Sequence, residues 1–296
     1  MKLLLMVVAV LSAALGLKIY LAESDYTVVP VGLSSADLPF VEVFVEEKPY
    51  FIAIDLGSFQ ELELFSTLLE PATKTFCGVD QWTNYKGIEY HCLKYLLPKV
   101  KIGSLTFKKV AATASIPGRE RDSTIWENPT ARELYPNTVG SLGRNFFKKK
   151  SILLDMQNSR MVLTSGVKKI EKAGYNLDLF LKLPFTESSL GIVLDVETDL
   201  GKKRLLLDTG FTYTMLHEFL YPEKGEKKRC SHDLPILTSH LFGINDVDFG
   251  EQDLHFIKMA RELEAVDGMI GMDFIKNHVI YIDFPRKILY LEKPRQ

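Results

Sequence analysis

Residues 205–210 read Leu-Leu-Leu-Asp-Thr-Gly, so three apolar residues lead into an acid, a small hydroxyl residue and a glycine. This pattern predicts a buried strand that delivers the carboxyl group of Asp208 into a tight turn. One strand ending in Asp-x-Gly is an ordinary turn and decides little. A second copy, Ile-Ala-Ile-Asp-Leu-Gly-Ser at residues 52–58, lies earlier in the chain. The two copies together indicate a duplicated fold that brings the carboxyl groups of Asp55 and Asp208 close to each other.

The segments before the two acids repeat as well. Residues 40–45 and 50–54 alternate as two strands, and residues 191–196 and 204–207 do the same in the second half. A β-hairpin is therefore predicted to feed each acidic turn. Upstream of the first hairpin, Pro30 predicts an edge strand, because proline cannot donate a hydrogen bond to an interior ladder.

The repeat continues after the acidic turns. Residues 140–155 align without gaps onto residues 268–283, and the two blocks share both glycines, a Phe, a Lys, an Ile and the final Asp. Those final acids, Asp155 and Asp283, are expected to serve turns. Apolar strands often resemble one another, but this does not explain two blocks that recur in the same order in each half. Internal duplication is therefore the main signal of the sequence.

Composition sets the limits within which these motifs work. The chain has 296 residues, 46% of them hydrophobic, which is enough to bury two modest cores. Its net charge of −2 comes from interspersed charges of both signs and gives no case for nucleic acid. The three cysteines are too few for a disulfide framework. Cys77 and Cys92 either pair in an oxidising compartment or remain as thiols.

The N-terminus predicts export. Lys2 precedes fifteen uncharged and mostly apolar residues at 3–17, which has the form of a signal peptide. Residues 14–16, Ala-Leu-Gly, offer a cleavage site, whereas an uncleaved segment extending to residue 22 would be long enough for a membrane anchor. Residues 1–22 are thus a signal peptide or an anchor. Either reading places the rest of the chain outside the cytoplasm, as a periplasmic, secreted or membrane-anchored protein.

The chain resembles the bilobal aspartic peptidases, of the pepsin-like and related retropepsin-like kind. The resemblance rests on the Asp-x-Gly turns at Asp55 and Asp208 and on the later apolar-apolar-Gly segments at 141–143 and 269–271. It implies a mainly β, two-lobed fold with a pseudo-twofold internal repeat and a cleft between the lobes, each lobe being a β-sandwich or distorted barrel. The lobes would span residues 23–165 and 186–296, with an inter-lobe connection at 166–185.

The same resemblance implies an aspartic endopeptidase that acts on polypeptides, with Asp55 and Asp208 as its catalytic acids and without a cofactor. Two carboxyl groups about 3 Å apart repel by about 5 kcal/mol if both ionise, so such a pair holds one proton over a wide pH range. One oxygen can then take a proton from water while the protonated partner polarises a peptide carbonyl. Gly57 and Gly210 let the two backbones approach closely. A monomer is expected, because both acids lie in one chain.

The sequence departs from that family at two positions. Family members carry Thr or Ser in the middle of each acidic turn, where two hydroxyls bridge the loops; Thr209 fits, but Leu56 cannot make that bond. After the glycine the family prefers a small or hydroxyl residue; Ser58 fits, Phe211 does not, and Thr212 is the substitute hydroxyl to consider. These losses keep an alternative open, namely a catalytically inactive protein of this fold that binds peptides or a protein partner.

A flap hairpin that closes over the cleft is expected at residues 81–90, with Gly87 near its tip. Tyr85 or Trp82 would supply its aromatic side chain, although either residue can also be part of the first core.

Other catalytic patterns are absent from the sequence. Cys230, His232 and His240, with His217 nearby, match no recognised spacing of metal ligands, so no metal site is predicted. The sequence contains no G-x-S-x-G elbow and no H-E-x-x-H motif, so the usual motifs of serine hydrolases and zinc hydrolases are absent.

Overall fold

The computed structural model describes residues 26–294 except for 70–71, 84, 86, 88, 116–137, 223–228, 232–233, 261–262 and 264. The predicted signal peptide or anchor at 1–22 lies outside the described residues. Among the residues that are described, no helix is long and apolar enough to cross a membrane.

The first lobe is built from strands whose residues alternate between the core and the surface. In the second of them, residues 39–45, every other side chain is buried, as a strand with one face on a core requires. The strands are β1 (Tyr26–Leu33), β2 (Pro39–Val45), β3 (Lys48–Asp55), β4 (Leu62–Phe65), β5 (Thr75–Thr83), β6 (Glu89–Ile102), β7 (Leu105–Ser115), β8 (Thr138–Gly143), β9 (Ser151–Asp155) and β10 (Arg160–Thr164). Two short helices, α1 (Ser66–Leu69) and α2 (Arg144–Phe147), interrupt them.

The second lobe follows the same plan with shorter strands. After helix α3 (Val167–Lys172) and a 3-10 turn (Leu177–Leu179), the strands are β11 (Phe180–Pro184), β12 (Val193–Thr198), β13 (Gly201–Leu207), β14 (Met215–His217), β15 (Arg229–Ser231), β16 (Leu234–Ser239), β17 (Phe242–Ile244), β18 (Val247–Asp248), β19 (Gln252–Ile257), β20 (Gly268–Ile270), β21 (Ile280–Asp283) and β22 (Ile288–Glu292). A second 3-10 turn (Glu218–Leu220) and helix α4 (Met272–Ile275) complete this lobe. The predicted hairpins before both acids are present as β2–β3 and β12–β13.

The pairing of strands repeats between the lobes. Strand β8 runs parallel to β3 and antiparallel to β4, and β20 runs parallel to β13 and antiparallel to β14. In each lobe the apolar-Gly segment therefore lies between the strand that carries the acid and the strand that follows it. In each lobe the apolar-Gly segment therefore fixes the end of the strand that carries the acid.

The two lobes share one central sheet. Strand β9 of the first lobe pairs antiparallel with β21 of the second, with Ile152 opposite Ile282. On one side β10 and β1 extend the sheet, and on the other β22 and β11 do so. The connection predicted at 166–185 therefore contains α3 and the outer strand β11. Most of the buried apolar residues of both lobes form one large continuous cluster, which contains Ile54 and Leu207 directly before the two acids.

The final acids of the two repeats serve turns, as the sequence predicts. The carboxylate of Asp155 accepts the backbone N–H of Asn158 at 3.0 Å, and that of Asp283 accepts the backbone N–H of Arg286 at 3.2 Å. Asp155 also accepts the hydroxyl of Tyr175 at 2.5 Å. Asp155 and Asp283 are fully buried in the shared sheet, where they hold the hairpins that join the lobes.

Candidate active site

Asp55 ends strand β3 and Asp208 follows strand β13, so the repeated strand arrangement positions both acids. Gly143 of β8 lies opposite Asp55 in the parallel ladder. In the second lobe the backbone N–H of Asp208 donates to the carbonyl of Ile270 at 3.0 Å. Each acid is thus attached to the apolar-Gly segment of its own lobe.

The structure brings the two acids together. The side chains of Asp55 and Asp208 meet where the two loops approach each other, close enough for each acid to shift the pKa of the other. A Cβ atom on Gly57 would overlap the Asp208 carboxyl group, and one on Gly210 would lie 2.8 Å from Cγ of Asp55. Each acid therefore packs against the glycine of the opposite loop, and this close approach requires that neither residue has a side chain.

The environment of the pair favours one shared proton. Burial raises the pKa of Asp208 well above its ordinary value, and the negative charge of Asp55 raises it further. Burial also raises the pKa of Asp55, although the backbone N–H of Ser58, 2.9 Å from its Oδ1 atom, opposes that rise. The backbone N–H of Gly210 donates to Oδ1 of Asp208 at 2.8 Å in the corresponding way. When a neutral carboxyl group lies beside a carboxylate, the first can donate a proton to a substrate while the second accepts one from it.

One half of the expected bridge between the loops is present. The fully buried hydroxyl of Thr209 donates to the carbonyl of Ile54 at 2.7 Å and accepts the backbone N–H of Leu56 at 2.9 Å. The Leu56 side chain makes no equivalent bond and instead joins the apolar core. The two loops are therefore held together by hydrogen bonds from Thr209 on one side and by apolar packing on the other.

The other two candidate hydroxyls have different partners. The hydroxyl of Ser58 accepts the backbone N–H of Gln60 at 3.3 Å, whereas the carboxylate of Asp55 is supported by the Ser58 backbone N–H. The hydroxyl of Thr212 donates to the carbonyl of Ala36 at 2.9 Å. Its single proton is thus directed to the first lobe and is not available to the carboxylate of Asp208.

Strands β5 and β6 form the expected flap hairpin. The ring of Tyr85 packs edge-on against the ring of Phe211, with centroids 5.0 Å apart, and the Tyr85 carbonyl accepts the backbone N–H of Ala260 at 2.7 Å. Gly87 has a left-handed φ of 79° near the tip. The side chain of Trp82 lies outside the described residues. The flap therefore reaches the second lobe, and Phe211 is its aromatic contact there.

Sequence reasoning missed Arg144, the first residue of α2. Its side chain is only 3% exposed, and its guanidinium donates to the carbonyls of Gly57 at 2.6 Å and Ser189 at 2.5 Å. The signal was available in the aligned repeats, because Arg144 matches the apolar Met272 of the second copy. A charged residue at a position that is buried in the other copy indicates a specific partner.

The cysteines and histidines give no further site in the described part of the chain. Cys77 is exposed and Cys92 is buried, and no disulfide bond joins these two residues, so both remain as thiols. No three His, Cys, Asp or Glu side chains among the described residues are grouped to hold a metal ion. His232 and the side chain of Cys230 lie outside the described residues.

Comparison with known proteins supports the fold. No model of a protein family matches the sequence, and no curated protein matches it. Among solved structures, an aspartic proteinase from Irpex lacteus aligns with a TM-score of 0.60 at 13% identity, over 90% of this chain and 97% of that one.

Two seed globulins share the fold to a similar degree. Conglutin gamma, a basic 7S globulin from lupine seeds, aligns with a TM-score of 0.59 at 12% identity, over 92% of this chain and 96% of its own. Basic 7S globulin from soybean aligns with a TM-score of 0.58 at 11% identity, over 90% and 95%. The chain thus has a mainly β, two-lobed fold that resembles aspartic proteinases and also basic 7S globulins, which confirms the predicted fold class.

Proposed function

We propose that the protein is an aspartic endopeptidase that hydrolyses peptide bonds with a water molecule activated between Asp55 and Asp208. The observation that carries the proposal is the close approach of the two carboxyl groups, with Asp208 buried and Asp55 half-buried, because desolvation and mutual repulsion favour one proton on two acids. The proteinase-like fold and the paired Asp-x-Gly turns support a relationship to pepsin-like and retropepsin-like peptidases.

The chemistry needs only water, the substrate and the two acids. The ionised carboxylate takes a proton from the water molecule while the oxygen of that water attacks the carbonyl carbon of the peptide. The protonated partner gives its proton to the carbonyl oxygen, which produces a neutral tetrahedral diol. The acid that took the proton from water then gives it to the nitrogen, while the other acid takes a proton from a hydroxyl of the diol, and the C–N bond breaks to release a carboxylic acid and an amine. The pair is restored with one proton, and no covalent intermediate forms.

The flap has a role in this reaction. Because the flap contacts the second lobe through Tyr85, a peptide can enter the cleft only when the flap moves away from Phe211. Closure over an extended substrate would exclude bulk water and strengthen the electrostatic interactions of the acids with the reacting carbonyl. The substrate is therefore an extended, accessible segment of a polypeptide rather than a folded surface.

The site of action would lie outside the cytoplasm. This part of the proposal rests on the sequence of residues 1–22, which has the form of a signal peptide or membrane anchor. Protease protection in intact cells that express the tagged protein would test it. Cleavage in intact cells would indicate exposure at the cell surface, cleavage only after the outer permeability barrier is opened would indicate a periplasmic location, and protection that outlasts this opening would refute export.

The direct test is cleavage of a diverse peptide library by the purified protein between pH 3 and pH 8, read by mass spectrometry. Asp208→Asn and Asp55→Asn should each abolish cleavage while the protein stays folded, as judged by circular dichroism. A peptide that carries a secondary hydroxyl in place of the scissile carbonyl should inhibit wild-type cleavage, because it resembles the tetrahedral diol. Absence of cleavage over the whole pH range would refute the proposal.

A second candidate function is binding of peptides or a protein partner without turnover. It is favoured by the half-bridge at Leu56 and by Phe211, whose ring contacts Tyr85 of the flap. In that case wild type and Asp208→Asn should bind library peptides with similar affinity, and neither should cleave them. Calorimetric titration of both proteins with the same retained peptides separates the two functions.

A further inference from the structure

Arg144 lies directly beneath the first acidic loop. Its backbone N–H donates to the carbonyl of Ser58 at 2.9 Å, and its guanidinium donates to the carbonyl of Gly57 at 2.6 Å. The side chain is almost entirely buried, at 3% exposure. Burying a guanidinium is costly unless its donors are used, so this placement requires a compensating interaction.

One peptide unit connects Arg144 to Asp55. The Gly57–Ser58 peptide accepts the Arg144 guanidinium at its carbonyl oxygen and donates its N–H to Oδ1 of Asp55 at 2.9 Å. A cation at the carbonyl end polarises a peptide, and hydrogen bonds in such a chain strengthen one another. The N–H that faces Asp55 therefore becomes a better donor to a carboxylate than to a neutral carboxyl group.

In the described part of the chain, no cation takes the corresponding place behind the second acid. Met272 occupies the equivalent position behind the Asp208 loop, is fully buried, and contributes only its backbone N–H, which donates to the carbonyl of Phe211 at 2.8 Å. The two halves of the site therefore differ at the residue after the apolar-Gly segment, which is the charged Arg144 in the first half and the uncharged Met272 in the second. The break favours negative charge on the first loop.

The second lobe holds the guanidinium in place. Its other terminal nitrogen donates to the carbonyl of Ser189 at 2.5 Å, and its Nε atom lies 3.9 Å from a carboxylate oxygen of Glu187. Lys148 also lies 3.7 Å from Glu187, which leaves part of that negative charge engaged elsewhere. The charged groups that act on Arg144 are thus Glu187, Asp55 and Asp208.

We propose that Arg144 is a positioning residue that, through the Gly57–Ser58 peptide, favours the negative charge on Asp55 and leaves the shared proton on Asp208. Asp55 would then take the proton from water, and Asp208 would donate to the carbonyl of the substrate. The inference rests on the proposed function, because only a working pair of acids needs these two roles. The location of the proton can nevertheless be measured without any turnover.

The first experiment measures the proton directly. Protein labelled with ¹³C at the aspartate carboxyl carbons is titrated by NMR, and the signals of Asp55 and Asp208 are assigned with Asp55→Asn and Asp208→Asn. In wild type the Asp55 signal should report ionisation at a lower pH than the Asp208 signal. In Arg144→Met, which places the residue of the second repeat in the first, the two titrations should move together. Arg144→Lys keeps the positive charge but loses the bidentate contact with the two carbonyls. The separation between its two titrations should lie between that of wild type and that of Arg144→Met.

The second experiment uses kinetics on any peptide that the wild type cleaves. Arg144→Met should lower kcat/KM by about 10- to 100-fold, the range for a lost hydrogen bond to a charged group, mainly through kcat. The acidic limb of its pH profile should move to higher pH, because Asp55 then ionises less readily. The control is Arg160→Met, which removes an arginine 3.4 Å from the Asp155 carboxylate, away from the two acids. It should lower stability without moving the acidic limb.

The outcomes are distinguishable. If wild type cleaves no peptide but the two aspartates titrate apart in an Arg144-dependent way, the proposed hydrolysis fails and the role of Arg144 stands. If the two aspartates of wild type titrate together, or if they remain equally separated in Arg144→Met and Arg144→Lys, Arg144 is only structural and the inference is overturned. Should Arg144→Met not fold, the same comparison is made with Arg144→Lys and with Arg144→Gln.

Discussion

The ring of Phe211 meets the ring of Tyr85 edge-on, with centroids 5.0 Å apart and an interplanar angle of 80°. Phe211 follows the second Asp-x-Gly turn, and Tyr85 belongs to the flap of the first lobe, so one aromatic pair joins the two sides of the cleft. The backbone N–H of Ala260 donates to the Tyr85 carbonyl at 2.7 Å beside it. The residue that departs from the usual small or hydroxyl side chain is therefore the one on which the flap closes.

Phe211→Ser should make the flap open more readily. Aromatic pairs of this kind contribute about 0.5–1.5 kcal/mol, so the open fraction should rise by about two- to tenfold. We expect faster hydrogen exchange in β5 and β6 and a similar rise in the association rate of peptides. Hydrogen exchange followed by mass spectrometry measures the first effect and stopped-flow fluorescence the second.

The control for this change is Phe219→Ser. Phe219 is 69% exposed and stacks on His217 in the second lobe, so the same substitution removes an aromatic contact away from the flap. It should leave exchange in β5 and β6 unchanged. Equal acceleration by both variants would show that the flap responds to general destabilisation and not to its contact with Phe211.

Thr209→Val should destabilise the junction of the lobes. The change keeps the shape of the side chain but leaves the backbone N–H of Leu56 and the carbonyl of Ile54 without their hydroxyl partner in a fully buried place. Unsatisfied buried groups cost about 1–3 kcal/mol each, so losing the partner of these two groups should lower the free energy of unfolding by about 2–6 kcal/mol. Urea denaturation followed by fluorescence measures this loss.

Thr212→Val provides the comparison, because it removes one hydrogen bond to the carbonyl of Ala36 at a partly exposed position. Its cost should be no more than about 1 kcal/mol. If the two valine variants were equally stable, the half-bridge at Thr209 would have no special part in holding the loops together.

The sequence was sufficient to predict the juxtaposition of Asp55 and Asp208, because both follow apolar strands in a repeat whose parts recur in order. It was not sufficient for contacts between segments outside the repeat. The Thr212 hydroxyl binds Ala36, a partner far away in the chain that no local pattern indicates. Arg144 was missed for a related reason, since its partners are backbone carbonyls, which leave no trace in side-chain composition.

The prediction of an edge strand at Pro30 was wrong for a different reason. Strand β1 pairs with β10 up to Pro30 and with β2 from Val31 onward, so it has neighbours on both sides of the sheet. Pro30 stands where the strand changes partner, and the missing N–H is tolerated at that point. A rule about whole strands therefore failed because the role of this strand changes within its length.

Asp208→Asn should stabilise the protein at neutral pH. Since burial raises the pKa of Asp208 well above its ordinary value of 3.8, the unfolded chain loses this proton at lower pH than the folded protein does. Wild type therefore loses stability as pH rises from about 4 through the folded pKa, and asparagine removes this loss. The gain should be largest at neutral pH and should vanish below about pH 4.

Asp155→Asn should show the opposite dependence. Burial acts to raise the pKa of Asp155, but hydrogen bonds from Tyr175, Asn158 and Arg160 outweigh it and hold the pKa below its ordinary value. The carboxylate therefore contributes stability above about pH 4, which is lost as pH falls through the folded pKa. Urea denaturation of both variants from pH 3 to pH 7 should give differences from wild type of opposite sign at pH 7. A loss of stability in both would contradict the shared-proton account of Asp208.

His278 should limit the stability of the protein in acid. It packs against Phe274 and Phe249, with ring centroids 4.4 Å and 5.1 Å away, and burial lowers its pKa from 6.5 to about 4. Between these values the unfolded chain takes up a proton that the folded protein does not, so stability present above pH 6.5 is lost as pH falls. A difference between 6.5 and about 4 corresponds to about 3 kcal/mol at most.

His278→Leu should remove much of that pH dependence, because the site then has no proton to gain. Unfolding measured at half-unit steps from pH 4 to pH 7 should give a flatter curve for this variant than for wild type. His240→Leu is the matched control, since the His240 side chain is 74% exposed, and it should leave the slope in place. An unchanged slope in His278→Leu would place the acid sensitivity elsewhere. A flatter curve would show that the buried His278 ring accounts for part of the stability that the protein loses in acid.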